Sequence, residues 1–441
     1  MLSNGDNSFE VYNMLRNLTA FWRHSILLCC LFAALVAGFM TLIPPRVTNA
    51  NANTEKHTLS IKSSSFKLMA DGNKIVTGNG QVYIPEGISV YGGLEDPNYQ
   101  ANIPNVYAQI KAAVKYWHAN TVRLQVAESN LFTNITPGLD YNAPFLQALK
   151  QQVNYIHALH AIAVINDQTE FTSRLPNPTE MTSDFWEIMD QYFGNKDYVI
   201  FDLFNEPRLN TIDSTNNNLS PDVMFSLFGV SGIKQQNKHY NQMSPRRVWG
   251  LWKNGGTVNG IEYVGMQTLV TQIRDANVHN ILWIEGPNQA RELPPRKYLL
   301  GGSNLVYSIH HPNLNNPRSW NRIAFLAKTW PVVDGEWAQY EAAWAECYTH
   351  AYTNAPLYIN FLHQHNIGII AWSLQANSLL QGDSRIKPSN QNDRDDPRNA
   401  SELRTPDRLR PTYSCSDRFG QGVGQILQNY FKANSHAVLK S

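Results

Sequence analysis

The sequence predicts an α/β chain built as a single (β/α)8 barrel, and three observations carry that prediction. Eight short β-branched or aliphatic runs recur along the chain. Segments with helical spacing lie between most of them. No second linker, tandem repeat or appended module interrupts the alternation after residue 58. Alternating strands and helices of this kind form either a closed parallel barrel or a doubly wound open sheet, and eight runs favour the barrel.

The N-terminus is set aside first. Ser25–Ile43 is apolar and uncharged, preceded by Arg16, Arg23 and His24, and ended by Pro44 and Pro45. Thr48-Asn49-Ala50-Asn51-Ala52 then supplies an A-x-A site. This reads as a signal peptide cleaved after Ala52, with an uncleaved anchor through residues 25–43 as the alternative, since the run nearly spans a bilayer. Either way the body is exported. The expected organisation is therefore 1–52 leader or anchor, 53–58 linker, and 59–435 barrel domain.

The runs follow in order: Val82–Val90, Thr121–Val126, Ala161–Ile165, Val199–Phe204, Asn280–Glu285, Leu305–Ile309, Pro331–Val333 and Ile367–Trp372. The intervening helical segments include Val106–Trp117, where Val106, Ile110, Val114 and Trp117 recur at three- and four-residue steps. The others are Phe145–His160, Phe185–Phe193, Val264–Ala276, Trp320–Ala327 and Pro356–His365. The hairpin-like stretch from Leu59 to Val76 is expected to cap the barrel floor. Two long irregular stretches, Pro207–Ser244 after the fourth strand and Asn377–Pro411 after the eighth, belong on the C-terminal face, where barrels build their sites.

Composition narrows the function. The chain has 441 residues, 36 basic and 35 acidic, so its net charge is +1. Arg16, Arg23 and Arg46 outnumber Asp6 and Glu10, so the charge belongs to the leader and the body is neutral. That removes the electrostatic case for nucleic acid and suits an uncharged substrate. Aromatic residues make up 11 %, with 11 Trp and 20 Tyr, enough to suggest stacking surfaces beyond the needs of a core. Only Cys347 and Cys415 lie outside the leader, and in an oxidising compartment they are expected to pair.

Two strand ends carry the chemistry. Ile200-Phe201-Asp202-Leu203-Phe204-Asn205-Glu206-Pro207 is an apolar strand ending in Asn-Glu, with Pro207 stopping the ladder. Pro331-Val332-Val333-Asp334-Gly335-Glu336-Trp337 is a second strand ending in Glu. Paired carboxylates suit glycosidic cleavage, one protonated to donate to the leaving oxygen and one anionic to attack the anomeric carbon. No phosphate-binding loop, dinucleotide fingerprint, nucleophile elbow or H-E-x-x-H helix is present, so neither cofactor nor metal is expected.

These two motifs, with Asn120-Thr121-Val122-Arg123-Leu124, Tyr307-Ser308-Ile309-His310 and Ile370-Ala371-Trp372-Ser373-Leu374, resemble clan A glycosidases. Most closely they resemble glycoside hydrolase family 5, the cellulase/mannanase-type retaining enzymes, over Leu59 to Phe431. The resemblance implies Glu206 as acid/base and Glu336 as nucleophile, Arg123 supporting the nucleophile, and Asn205 bonding the 2-hydroxyl of the −1 sugar. It further implies a site role for His310 and a sugar platform at Trp372, with Trp337 a second platform. Trp320, Trp330 and Trp344 are shared between outer subsites and core. Three departures stand beside it. Pro312 occupies the place of the family's strand-six Tyr, leaving Tyr307 or Tyr340 to substitute. Asn166 or Gln168 replaces the strand-three His. Asp334, by strand alternation, is expected on the same face as Glu336, raising its pKa. The implied activity is retaining hydrolysis of a β-linked glucan or mannan by a monomer. The alternatives are another clan A activity on short glycosides, transglycosylation, or a carbohydrate-binding barrel that has lost hydrolysis.

Overall fold

Inner-face residues of the strands are apolar at one end and polar at the other, and that gradient builds the molecule. A computed structural model describes residues 67–132, 141–169, 177–209, 243–258, 260–310, 318, 320–337, 351–374, 379–380, 401–406 and 423–434. The leader, the linker, Cys347, Cys415, Tyr340, Trp344 and most of both long loops lie outside the described residues. Among the described residues, no helix is long and apolar enough to cross a membrane. Phe132 and Tyr141 pair in an antiparallel bridge and belong to a small unit of their own. All other described residues belong to the barrel unit.

A hairpin opens that unit, with β1 Met69–Asp71 antiparallel to β2 Lys74–Val76. Its two-residue turn begins at Gly72, whose φ of 58° lies in the left-handed region that suits glycine. The eight expected strands follow. They are β3 Glu86–Leu94, β4 Thr121–Val126, β5 Ile162–Asp167, β6 Val199–Asp202, β9 Leu282–Glu285, β10 Leu305–His310, β11 Val332–Trp337 and β12 Gly368–Ala371. They pair in that order, all parallel, and β12 closes on β3 through Ile369↔Glu86 and Ala371↔Ile88. The closed barrel with surrounding helices is the predicted (β/α)8 arrangement. A second hairpin, β7 Gly255–Val258 with β8 Ile261–Val264, was not foreseen. It follows the helix Pro245–Asn254, which starts at the cap Ser244 with Pro245 in its first turn.

The lower interior is a buried apolar cluster of Ile162, Val164, Ile200, Ile281, Trp283, Val306, Val333 and Ile370. Leu68, Ile75 and Tyr83 join it from the hairpin side, so the hairpin caps the floor as expected. Two residues further along the same strands, alternation points Asp202, Glu285 and Ser308 inward, and all are buried. The expected first strand, Val82–Val90, shifts to Glu86–Leu94. Pro85 has no N–H for the ladder, and Val82 instead bridges to Val76. Conversely, β11 runs on through Asp334-Gly335-Glu336, residues of poor strand propensity held by pairing on both sides.

Candidate active site

At the C-terminal ends of the strands the buried polar residues converge on Arg123. Its guanidinium donates through Nε to Asp202 Oδ2 at 2.9 Å, and through Nη1 to Glu336 Oε2 at 3.0 Å. Nη2 donates to Asn205 Oδ1 at 2.6 Å and to Glu285 Oε1 at 3.2 Å. The planar fork of an arginine allows four acceptors from three strands and one loop to share one cation. Burial works against that charge, but Asp202, Glu336 and Glu285 outweigh it and hold the guanidinium firmly protonated.

Glu206 follows β6 by four residues. The Asn205 N–H donates to Asp167 O at 2.8 Å, which carries the chain past the end of the ladder. Glu206 itself has φ 47°, an uncommon conformation for a residue with a Cβ. Its N–H is bonded to Glu285 Oε2 at 2.6 Å. Beyond it, Pro207 O accepts from Gln289 N at 3.0 Å and Leu209 O from Asn288 N at 2.7 Å. Asn288, Gln289 and Ala290 are three successive left-handed residues in the turn after β9. Ala290 O in turn accepts the His310 N–H at 2.9 Å.

Glu336 reaches the site through a β-bulge. Against β12, Asp334 pairs with Ile369 and Trp337 with Ala371, so β11 has one residue more than its partner. The expectation that Asp334 and Glu336 share a face is therefore corrected. The bulge breaks the alternation, Asp334 accepts from Tyr358 Oη at 2.9 Å, and Glu336 turns to Arg123. Burial pushes Asp334 up to about 7, with the Tyr358 bond opposing. Glu336 also stands at about 7. Burial is the main cause, Glu206 and Glu285 add to it, and His310 and Arg123 oppose it.

His310 is fully buried at the end of β10. Its Nδ1 lies 3.2 Å from Glu206 Oε1 and 4.0 Å from Glu336 Oε2, and its Nε2 lies 3.0 Å from Glu285 Oε1. The last contact is an ion pair by distance, with Nε2 off the hydrogen-bonding line. Burial favours the neutral ring, yet Glu285, Glu206 and Glu336 together raise His310 well above its ordinary range. Glu206, His310 and Glu336 offer ligand atoms within 4.8 Å of one another, the one such cation-sized group among the described residues.

The remaining expectations divide. Trp372 is half-buried and meets Tyr91 edge-on at 5.6 Å, with its backbone N–H donating to Trp337 O at 2.7 Å. Trp337 is only 1 % exposed, as buried as the core residue Trp117, so it presents no open ring face and the platform expected there is corrected. Tyr307 is ruled out as the strand-six substitute, because it alternates away from Val306 and its hydroxyl accepts from Leu300 N at 2.9 Å. Trp320 packs on Tyr358 and Phe361 as a core residue. At the third strand Asn166 is fully buried with inner-face parity, while Gln168 lies just beyond, its amide beside Gln125. Glu285 was missed. Its signal was present in Leu282-Trp283-Ile284-Glu285-Gly286-Pro287, another apolar strand ending in Glu.

A parallel eight-stranded barrel with two carboxylates, an arginine and a histidine gathered at its C-terminal mouth defines the class of (β/α)8 glycosidases. Residues 93–378 match the cellulase family, glycosyl hydrolase family 5, and the chain belongs to that family. It is a glycosidase hydrolysing O-glycosyl compounds, and the family fold implies retention. Among solved structures, a β-glucanase from Saccharophagus degradans shares 15 % identity over 84 % of this chain and 94 % of its own, with a TM-score of 0.51. An endoglucanase catalytic domain from Thermobifida fusca, solved with cellotetraose, shares 13 % identity over 83 % and 97 %, at 0.49. A mannanase catalytic domain from a Streptomyces species shares 15 % over 74 % and 86 %, at 0.41. No curated protein matches the chain significantly.

Proposed function

We propose that the chain hydrolyses β-glycosidic bonds of a neutral glucan or mannan by double displacement. The carrying observation is the approach of Glu206 and Glu336, whose carboxylate oxygens lie within 4.8 Å of each other. Retaining glycosidases hold their carboxyls about 5–5.5 Å apart, whereas inverting ones need about 6.5–9.5 Å to admit a water. Two buried carboxylates this close raise one another's proton affinity, which favours a proton on one beside an anion on the other. Glu206 donates the proton to the glycosidic oxygen while Glu336 attacks the anomeric carbon, and the bond to the leaving sugar breaks. Water, deprotonated by Glu206, then cleaves the glycosyl ester and regenerates Glu336. Arg123 orients the Glu336 carboxylate and the Asn205 amide, Gln168 and Asn166 supply polar groups at the strand-three rim, and Trp372 offers a stacking face.

The neutral body and the family support an uncharged polysaccharide, and β-glucan is the first substrate to try. Purified protein assayed on β-glucans, mannans and aryl glycosides is expected to turn over at least one. Binding without turnover on all of them would instead indicate a barrel that has lost hydrolysis. We also propose export through residues 25–43 and a Cys347–Cys415 disulfide. Intact mass and free-thiol titration of the secreted protein test both.

A further inference from the structure

We propose that Glu285, at the end of the fifth barrel strand, is a positioning residue that locks the acid/base carboxylate and its histidine into one unit. This rests on the functional reading above. Glu285 is fully buried, and its two oxygens serve three different partners. Oε2 accepts the Glu206 N–H at 2.6 Å and so fixes the left-handed backbone from which the Glu206 side chain projects. Oε1 lies 3.2 Å from Arg123 Nη2 and 3.0 Å from His310 Nε2. The opposite ring nitrogen of His310 lies against Glu206 Oε1. Glu285 thus grips Glu206 twice, once through its own backbone and once through the imidazole.

The element that carries Glu285 is itself pinned. The Trp252 indole donates to Glu285 O at 2.8 Å. The left-handed turn that follows bonds both the segment after Glu206 and the backbone N–H of His310. A Cβ on Gly286 would overlap Glu292 O, so only glycine fits the start of that turn.

The charged groups around Glu285 and His310 are Arg123 from β4, Asp202 from β6, Glu206 beyond it, and Glu336 from β11, with Asp334 acting on His310 alone. Glu285 is the strongest of the influences that keep the buried His310 ring protonated. The His310 cation in turn lowers Glu336 more than Glu285 raises it. Neutralising Glu285 therefore loosens the hold on the His310 proton, and the net effect on the nucleophile is an upward shift.

The test is Glu285→Gln, which keeps size and an acceptor but loses the charge. In protein labelled with 15N-histidine, the resonance lost in His310→Gln is expected to report an imidazolium at pH 7 in the wild type and to titrate at lower pH in Glu285→Gln. With substrate, kcat is expected to fall about tenfold to a hundredfold, the range for losing one charge-assisted hydrogen bond, with KM little changed and the acid limb moved to higher pH. A His310 titration unmoved in Glu285→Gln, or wild-type kcat with an unmoved acid limb, would overturn the proposal. If Glu285→Gln does not fold, Glu285→Asp keeps the charge but falls a methylene short of the Glu206 N–H. It is expected to keep the imidazolium and lose kcat, and wild-type kcat there would equally overturn the proposal. The NMR arm needs no substrate, so a wild type inactive on every glycoside would contradict the functional reading alone.

Discussion

Gly335 packs so closely against Ser308 that a Cβ at Gly335 would overlap the Ser308 hydroxyl oxygen and press to 3.0 Å on His310 Nε2. The cause is the bulge in β11, which turns both Gly335 and Glu336 toward the interior. The first of the two has no room for a side chain. Gly335→Ala is expected to destabilise the fold by about 1–3 kcal/mol and to lower kcat, because relieving the overlap displaces Ser308 and presses on His310 beside the nucleophile. Urea denaturation with activity at matched folded fraction checks this; unchanged values for both would contradict it.

Arg123 is the shared counter-charge for Asp202, Glu285 and Glu336. Removing it leaves three buried carboxylates facing one another. Arg123→Ala is expected to cost about 3–5 kcal/mol and most of the activity. Arg123→Lys restores the charge but not the fork, so it should recover stability more than rate. Thermal melts and kcat for the two variants give the comparison.

The pH dependence of activity follows from Glu336. Its carboxyl stands at about 7, so the anionic nucleophile is lost as pH falls through that value. The acid limb of kcat/KM is expected to inflect near 7, well above the ordinary carboxylate range. An inflection near 4.5 would mean that the site holds Glu336 as an unperturbed carboxylate.

Stability has its own titration at Asp334. Its folded-state pKa is raised from 3.8 to about 7, so the folded protein holds this proton more tightly than the unfolded chain does. The contribution is fully present below about 3.8 and is lost as pH rises through about 7. Asp334→Asn keeps an acceptor for Tyr358 without the charge. It should match the wild type near pH 4 and exceed it above pH 7 by on the order of a few kcal/mol. Denaturation midpoints at both pH values decide it.

Away from the site, the helix Ala143–Ala158 ends in a Schellman turn, with Ala161 N on Ile156 O at 3.2 Å and His160 N on His157 O at 2.8 Å. The exposed His160 sits at the left-handed position with φ 63°. His160→Gly should stabilise the protein by about 1 kcal/mol. A lower urea midpoint would contradict that.

Much of this architecture was legible in the residues. Thr121–Val126 is a strand with the boundaries read from its β-branched run, and Glu206 and Glu336 stand out as carboxylates ending apolar strands. The resemblance of Asn120-Thr121-Val122-Arg123-Leu124 to the family's second strand also brings Arg123 to the site. What escaped was long-range. The bulge at Gly335 arises from pairing with β12, which no local pattern records, so the facing of Asp334 was misjudged. Trp337 reads as a surface platform beside a carboxylate, but its burial is set by packing between distant elements. Glu285 carries the same strand-end signature as Glu206; its importance shows only once Arg123, His310 and the Glu206 backbone are brought around it.

The central claim is that Glu336 attacks the anomeric carbon. Incubating the protein with an activated 2-deoxy-2-fluoro β-cellobioside and mapping the label by peptide mass spectrometry tests it directly. The expected result is one stoichiometric glycosyl ester on Glu336, absent in Glu336→Gln. A label on Glu206 or Glu285 in an enzyme that turns over β-glucan would contradict the account.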